Sequence, residues 1–145
     1  MKGGGGMTDA QRMVAEFHRT FDIAVAPEPT VPDEATRRLR ERLIAEEFEE
    51  LREALAQKDL PAVAKELADL LYVVYGTAVS CGIDMEPVFR EVHRSNMSKV
   101  GGHKRADGKW VKPASYSPAA VAPILEAQRL GKRAPGAGAL ADERA

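Results

Sequence analysis

The sequence has few of the features that mark secreted proteins or nucleic-acid-binding proteins. It contains one cysteine, Cys81, so no internal disulfide can form, and the hydrophobic run around Cys81 is typical of a buried thiol in a reducing compartment. Its 21 Lys and Arg residues are balanced by 22 Asp and Glu, and only 6% of the residues are aromatic. A general nucleic-acid binder needs a basic face or stacking platforms, so we expect no nucleic-acid partner, although a local basic pocket stays open.

Long apolar segments are also missing. The chain begins MKGGGGMTDAQ and not with an apolar signal sequence. Its most hydrophobic window, Leu67 to Val79, contains Asp69 and is shorter than the roughly 18–20 apolar residues that a membrane span needs. We therefore expect a soluble, cytoplasmic protein without membrane contact.

The length of 145 residues and the hydrophobic fraction of 44% suit one domain with one modest core. We predict this domain over residues 8–130. Residues 1–7 are rich in glycine and are left out of the fold. The tail, residues 131–145, is rich in Gly and Ala and is expected to be disordered.

Apolar residues recur at helical spacing along most of the chain, and no strand pattern competes with them. A basic loop over residues 101–116 interrupts the helices and can close as a small hairpin. We predict an all-α fold of the four-helix-bundle type, and an oligomer, because about four helices supply too little cover for a helix that is apolar on all sides. The predicted helices open at a Thr8–Gln11 capping box and at Asp33, Pro61, Asp84 and Ser117, and they end near Lys58, Cys81 and Leu130.

Three acids lie together on the long second helix. At about 100° per residue, Glu46 and Glu50 are stacked one turn apart, and Glu47 lies one turn from Glu50 on the adjoining flank. All three border the stripe that faces the core, whereas Glu49 and Glu53 point to solvent. An ordinary charged helix face has the same appearance, so this helix alone leaves both interpretations open.

The next helix makes a binding site the better interpretation. It is apolar almost all round, which is the pattern of a buried helix, yet Glu66 and Asp69 lie three residues apart on one face. Burying a carboxylate costs several kcal/mol unless its charge is compensated, and the neighbouring Lys65 is expected to point elsewhere. If the two helices form an antiparallel hairpin through residues 57–60, the two acidic faces meet. Five carboxylates then converge, and a bound cation would compensate their charge.

Carboxylate oxygens suit Mg²⁺ or Mn²⁺, whereas zinc prefers His or Cys. Two or more divalent ions can neutralise five converging carboxylates. Such ions bind phosphate oxygens and lower the pKa of a coordinated water. The sequence therefore predicts a divalent-metal site that acts on a phosphate compound. The three histidines show no ligand spacing and receive no role.

The order Glu46-Glu47-x-x-Glu50, a spacer of 15 residues and Glu66-x-x-Asp69 resembles the EExxE…ExxD signature of the all-α nucleoside triphosphate pyrophosphohydrolases. This superfamily contains MazG-like enzymes, dimeric dUTPases and dCTP pyrophosphatases. The resemblance extends from about Met13 to Tyr116 and is greatest to MazG-like dUTPases of the deinococcal type. It implies a helical homo-oligomer, most simply a homodimer, with two or three Mg²⁺ or Mn²⁺ ions and a reaction that releases pyrophosphate.

Further residues are candidates for substrate binding. Asn96 and Lys99 end the apolar stripe of the fourth helix, either because they point into a pocket or because the helix leaves the core. Similar enzymes place an Asn and a Lys here to meet the nucleotide. The segment DGKWVKPASY resembles the family's DGK…KP…Y pattern, which implies that Lys112 and Tyr116 lie near the phosphates. Asp22 is a candidate hydrogen-bond partner for the base or the ribose.

Together these features predict a metal-dependent pyrophosphohydrolase that converts dUTP to dUMP and pyrophosphate. All five acids are predicted metal ligands: Glu46, Glu47, Glu50, Glu66 and Asp69. Glu47 is in addition the predicted catalytic residue, which orients or deprotonates the attacking water. The alternatives are a pyrophosphohydrolase for dCTP or modified nucleotides and a non-catalytic helical scaffold that binds a structural ion.

Overall fold

The computed structural model describes residues 6–133, and within them the predicted all-α fold is confirmed. Two short antiparallel strands form a hairpin between the fourth and fifth helices, with His103 opposite Val111. The predicted hairpin in the basic loop is thus confirmed. The elements are α1 (Asp9–Thr20), α2 (Glu34–Gln57), α3 (Leu60–Ser80), α4 (Met85–Met97), β1 (His103–Lys104), β2 (Trp110–Val111) and α5 (Ala122–Arg133).

Side-chain caps determine where the first four helices begin. Each capping oxygen accepts a backbone N–H of the first helical turn, which otherwise has no partner within the helix. The caps at Thr8, Asp33 and Asp84 confirm the predicted helix starts. The cap of α3 is Asp59, with Pro61 in the first turn as expected.

The last helix begins and ends later than predicted. Ser117 does not cap it, because Arg94 and Glu91 of α4 hold the segment before α5: Arg94 donates to Ser117 Oγ and to Pro118 O, and Ala120 N donates to Glu91 Oε1. Helix α5 continues to Arg133, three residues into the predicted tail. The rest of that tail, residues 134–145, lies outside the described residues, as do residues 1–5.

Helices α2 and α3 form the predicted antiparallel hairpin. Lys58 ends α2 in the left-handed conformation (φ 55°), and α3 begins two residues later. Early α2 packs against late α3: the guanidinium of Arg40 donates from Nη2 to Val73 O at 2.9 Å and from Nε to Thr77 Oγ1 at 3.2 Å. The same antiparallel order places the middle of α2 beside the first half of α3, where both acidic motifs lie.

The core lies between α1 and the second half of α3. Val14, Ala15 and Val79 are buried together, and Tyr75 packs against them. The connection from residue 23 to residue 32 contains no helix or strand and bends at residues 27–29, so its extended course stays a prediction. It pairs with the end of α3 through bonds such as Ala26 N to Val79 O. After α3 the chain turns sharply, and the axes of α3 and α4 are bent by 113°.

The buried Arg40, only 4% exposed, lies directly over Gly76 on α3. A Cβ at Gly76 would collide with Arg40 Nη2 and would lie 2.9 Å from His18 Nε2. His18 is also buried, and its Nδ1 lies 3.0 Å from Ala24 O. Burial, together with the charge of Arg40, lowers the pKa of His18 and thus disfavours the protonated ring. These polar groups join α1, α2 and α3.

A single chain leaves part of α3 uncovered, in line with the prediction that about four helices supply too little cover for it. Residues 76–80 at its end are largely buried, but Leu67 is 47% exposed and Leu71 is 57% exposed, because α1 and α2 cover only part of the surface of α3. Tyr72, at the same level, makes an edge contact with Phe17 at the surface. Within residues 6–133, no single helix has both the length and the hydrophobicity to cross a membrane.

Replacing Gly76 by alanine should lower the free energy of unfolding by about 1–3 kcal/mol, because the added methyl displaces the buried Arg40 and His18. Gly131 is the matched control. It lies exposed in α5 with nothing within 4 Å of an added Cβ, so Gly131→Ala should be neutral or slightly stabilising. Urea denaturation of both variants measures the difference. Equal stability of the two variants would contradict the proposed packing of Arg40 on Gly76.

Candidate metal centre

Four of the five predicted acids converge between α2 and α3. One carboxylate oxygen each from Glu47, Glu50, Glu66 and Asp69 lies within 4.8 Å of the others. Each pair is spaced three residues apart, so both members project from the same side of their helix. We call these four residues the acidic cluster.

Glu46 lies outside the acidic cluster. Glu47 and Glu50 face α3, and a rotation of about 100° per residue carries Glu46 to the exposed edge of α2. Glu49 and Glu53 are exposed, as predicted, and Glu49 forms an ion pair with Arg52 at 2.9 Å. The role of Glu46 as a ligand stays a prediction.

Two oxygens of the acidic cluster are buried without a hydrogen-bond partner. They are Oε2 of Glu47 and Oε2 of Glu66, as judged among the described residues. A buried acceptor without a partner costs free energy, which a coordinated cation would recover. Four carboxylates and no His or Cys form a donor set for a hard cation such as Mg²⁺ or Mn²⁺. The residues present therefore fit the predicted metal.

The acidic cluster perturbs its own ionisation. Burial raises the pKa of Glu47, and the nearby carboxylates of Glu50, Asp69 and Glu66 raise it further. Each additional negative charge makes the ionised form of Glu47 less favourable. In the absence of a cation, the cluster therefore retains a proton at a higher pH than an isolated glutamate would.

Lys65 compensates part of the negative charge, contrary to the prediction that it points elsewhere. Its Nζ lies 2.7 Å from Asp69 Oδ2 and 3.5 Å from Glu66 Oε1. The prediction was wrong because residues four apart on a helix are neighbours, and a lysine stem is long enough to span one turn. The hydrogen bond to Asp69 and the charges of Asp69 and Glu66 raise the pKa of Lys65.

Four of the predicted substrate residues form a second group, which we call the lysine–tyrosine cluster. Lys99 Nζ donates to Asn96 Oδ1 at 2.8 Å, and the ammonium groups of Lys112 and Lys99 lie 4.4 Å and 5.9 Å from the centre of the Tyr116 ring. A hydrogen bond from Ser95 and the two ammonium charges lower the pKa of Tyr116. The arrangement presents positive charge and a polarised hydroxyl, which suit phosphate oxygens.

Sequence reasoning missed the residues that position this cluster. Ser95 is buried, and its hydroxyl lies 3.4 Å from the Tyr116 hydroxyl. Ser98 Oγ accepts from Ser117 N, and Trp110 of β2 donates from Nε1 to Lys99 O at 2.7 Å. The single tryptophan of the sequence, Trp110 in the basic loop, was an available signal.

The two clusters lie on different elements, the acidic cluster on α2 and α3 and the other at the end of α4 and in the segment after β2. Among residues 6–133, no hydrogen bond or ion pair joins the acidic cluster to the lysine–tyrosine cluster. Asp22, the remaining candidate, lies exposed in the turn after α1 in the left-handed conformation (φ 54°). It is bonded to neither cluster. Within the described residues, the predicted site residues thus form groups that are not bonded to one another.

An all-helical chain with paired acidic motifs on facing helices falls in the class of MazG-like nucleotide pyrophosphohydrolases, which generally depend on divalent metals. The chain belongs to the phosphoribosyl-ATP pyrophosphohydrolase (PRA-PH) family, whose model matches residues 14–96, more than half of its length. No individual curated protein matches the chain. The match contains both acidic motifs and ends before Lys99, Lys112 and Tyr116.

Replacing Glu47 by glutamine should stabilise the metal-free protein at pH 8. The pKa of Glu47 is raised in the folded state, so the folded protein loses stability as the pH rises above the ordinary pKa of a glutamate. Glutamine does not ionise and therefore avoids this loss. The difference from the wild type should disappear below about pH 4, where the glutamate is protonated in both states. Calorimetry in EDTA between about pH 4 and pH 8 measures the difference in stability between the variant and the wild type.

Glu49→Gln is the control for this measurement, because Glu49 lies exposed beside Arg52. It should not raise the melting temperature at pH 8. A lower melting temperature for Glu47→Gln at pH 8 would contradict the electrostatic account of the acidic cluster.

Proposed function

We propose that the protein hydrolyses dUTP to dUMP and pyrophosphate in a reaction that depends on Mg²⁺ or Mn²⁺. The observation that carries this proposal is the convergence of four carboxylates with two buried oxygens that lack partners. Such a set of oxygen donors suits a divalent ion, and a bound divalent ion in turn favours a substrate with phosphate oxygens. Membership of the PRA-PH family supports a nucleotide as that substrate.

The acidic cluster and Glu46 are proposed to hold two or three metal ions. When bound, these ions supply positive charge to the phosphates and lower the pKa of the attacking water. The carboxylate of Glu47 is proposed to orient this water and to accept its proton.

The lysine–tyrosine cluster is proposed to bind the phosphates, and Asp22 the base or ribose. Lys99 and Lys112 would neutralise charge that accumulates on the phosphate oxygens in the transition state. Because no hydrogen bond or ion pair joins these residues to the acidic cluster within residues 6–133, we propose a homodimer whose second copy completes the site. The exposed Leu67 and Leu71 of α3 support this, since they form an apolar surface beside the acidic residues of the same helix.

The choice of dUTP rests on the resemblance of residues 13–116, which is greatest to MazG-like dUTPases. Residues 107–116 resemble the superfamily's DGK…KP…Y pattern, and they contribute Lys112 and Tyr116 to the lysine–tyrosine cluster. The family name favours phosphoribosyl-ATP as a second candidate substrate. dCTP and modified nucleotides are further candidates, and a non-catalytic scaffold would hydrolyse none of them.

Glu50→Gln should reduce pyrophosphate release by about 100-fold or more, because glutamine keeps the shape of the side chain and loses the charge that holds a metal. Glu49→Gln is the matched control on the same turn of α2 and should retain activity within about threefold, because Glu49 faces solvent. Circular dichroism checks that both variants remain helical. Equal losses of activity in the two variants would show that the side of α2 that faces α3 has been assigned wrongly.

Hydrolysis of dUTP in ¹⁸O-labelled water should place the label in dUMP, because attack is proposed at the α-phosphorus. The same assay with phosphoribosyl-ATP, dCTP and modified nucleotides compares the candidate substrates. Label in pyrophosphate would move the attack to the β-phosphorus and remove the role of Glu47. Formation of dUDP and phosphate would contradict a pyrophosphohydrolase, and turnover of phosphoribosyl-ATP alone would replace dUTP as the substrate.

A further inference from the structure

We propose that Lys65 is an internal counter-ion of the acidic cluster and competes with divalent metal for Asp69 and Glu66. The inference rests on the proposed metal site and goes beyond it. It assigns to a residue outside the predicted ligand set the role of lowering the metal affinity. Among the described residues, Lys65 is the cation that forms ion pairs with this cluster.

The position of Lys65 allows it to leave without a change in the backbone. Its side chain is 70% exposed, whereas that of Glu66 is 15% exposed and that of Asp69 is 37% exposed. The ammonium therefore approaches from solvent on a flexible stem and contacts the outer side of the cluster. A lysine that precedes its acidic partner by four residues is also in the weaker of the two orientations for a helical ion pair.

The compensation by Lys65 is incomplete. Four carboxylates with oxygens within 4.8 Å of one another repel, and one ammonium offsets a single negative charge. Oε2 of Glu47 and Oε2 of Glu66 keep no hydrogen-bond partner while Lys65 is in place. A divalent ion brings twice the charge and can contact oxygens that Lys65 does not reach, so the ammonium yields to the metal.

Two consequences follow for the chain without metal and with it. Without metal, Lys65 lowers the repulsion between α2 and α3 and stabilises the hairpin. With metal, the binding free energy is reduced by the loss of the two ion pairs that Lys65 makes. Removing the ammonium should therefore tighten metal binding and destabilise the metal-free protein.

Calorimetric titration of Mn²⁺ into the full-length, nucleotide-free protein tests this. Lys65→Gln should bind Mn²⁺ about two- to fivefold more tightly than the wild type, which is the range that an exposed ion pair allows. Its melting temperature in EDTA should be lower. Lys65→Arg keeps the charge and should bind Mn²⁺ with nearly wild-type affinity.

Arg52→Gln is the matched control, because it removes the same charge from the exposed ion pair with Glu49 on α2. It should leave Mn²⁺ affinity close to that of the wild type. Unchanged or weaker affinity in Lys65→Gln, or equal tightening in Arg52→Gln, would overturn the role of Lys65 and leave the metal site intact. Absence of Mn²⁺ binding in all four proteins would instead overturn the proposed metal-dependent function, and the inference with it.

Discussion

The structure depends on the repulsion between carboxylates that α2 and α3 force together. Like charges at this separation do not remain ionised next to each other at low energy, so the fold must supply positive charge, protons or a metal. The metal-free protein uses the first two in part: Lys65 pairs with Asp69, and the raised pKa of Glu47 favours its protonated form. The unpartnered oxygens that remain explain why a cation is the natural third partner.

Contacts elsewhere in the fold fix the register of α2 and α3 that brings the four carboxylates together despite their repulsion. Arg40 ties early α2 to late α3 through Val73 O and Thr77 Oγ1, and it can do so because Gly76 has no side chain. His18 packs at the same place from α1. Both hydrogen-bond partners of this buried guanidinium are neutral, so its desolvation costs free energy that the packing of the three helices must offset.

Helical periodicity was sufficient to predict the α2–α3 hairpin and both acidic motifs, because the spacing of Glu66 and Asp69 alone defines a common face. It could not decide between Glu46 and Glu47, since both flank the apolar stripe and a small rotation of α2 determines which one faces α3. Helical periodicity also could not predict the direction of the Lys65 side chain, because it gives the position of a Cβ and not the side-chain conformer. The burial of Arg40 depends on three helices at once. A glycine inside an apolar helix, Gly76, was the available signal, because such a glycine usually has a packing reason.

The most direct test of the metal centre is a crystal structure of the full chain grown with Mn²⁺, with diffraction data collected at the manganese absorption edge. Anomalous peaks are expected between α2 and α3, at ions coordinated by carboxylates of the acidic cluster. Mn²⁺ bound elsewhere, with the space between the four carboxylates filled by water alone, would contradict it.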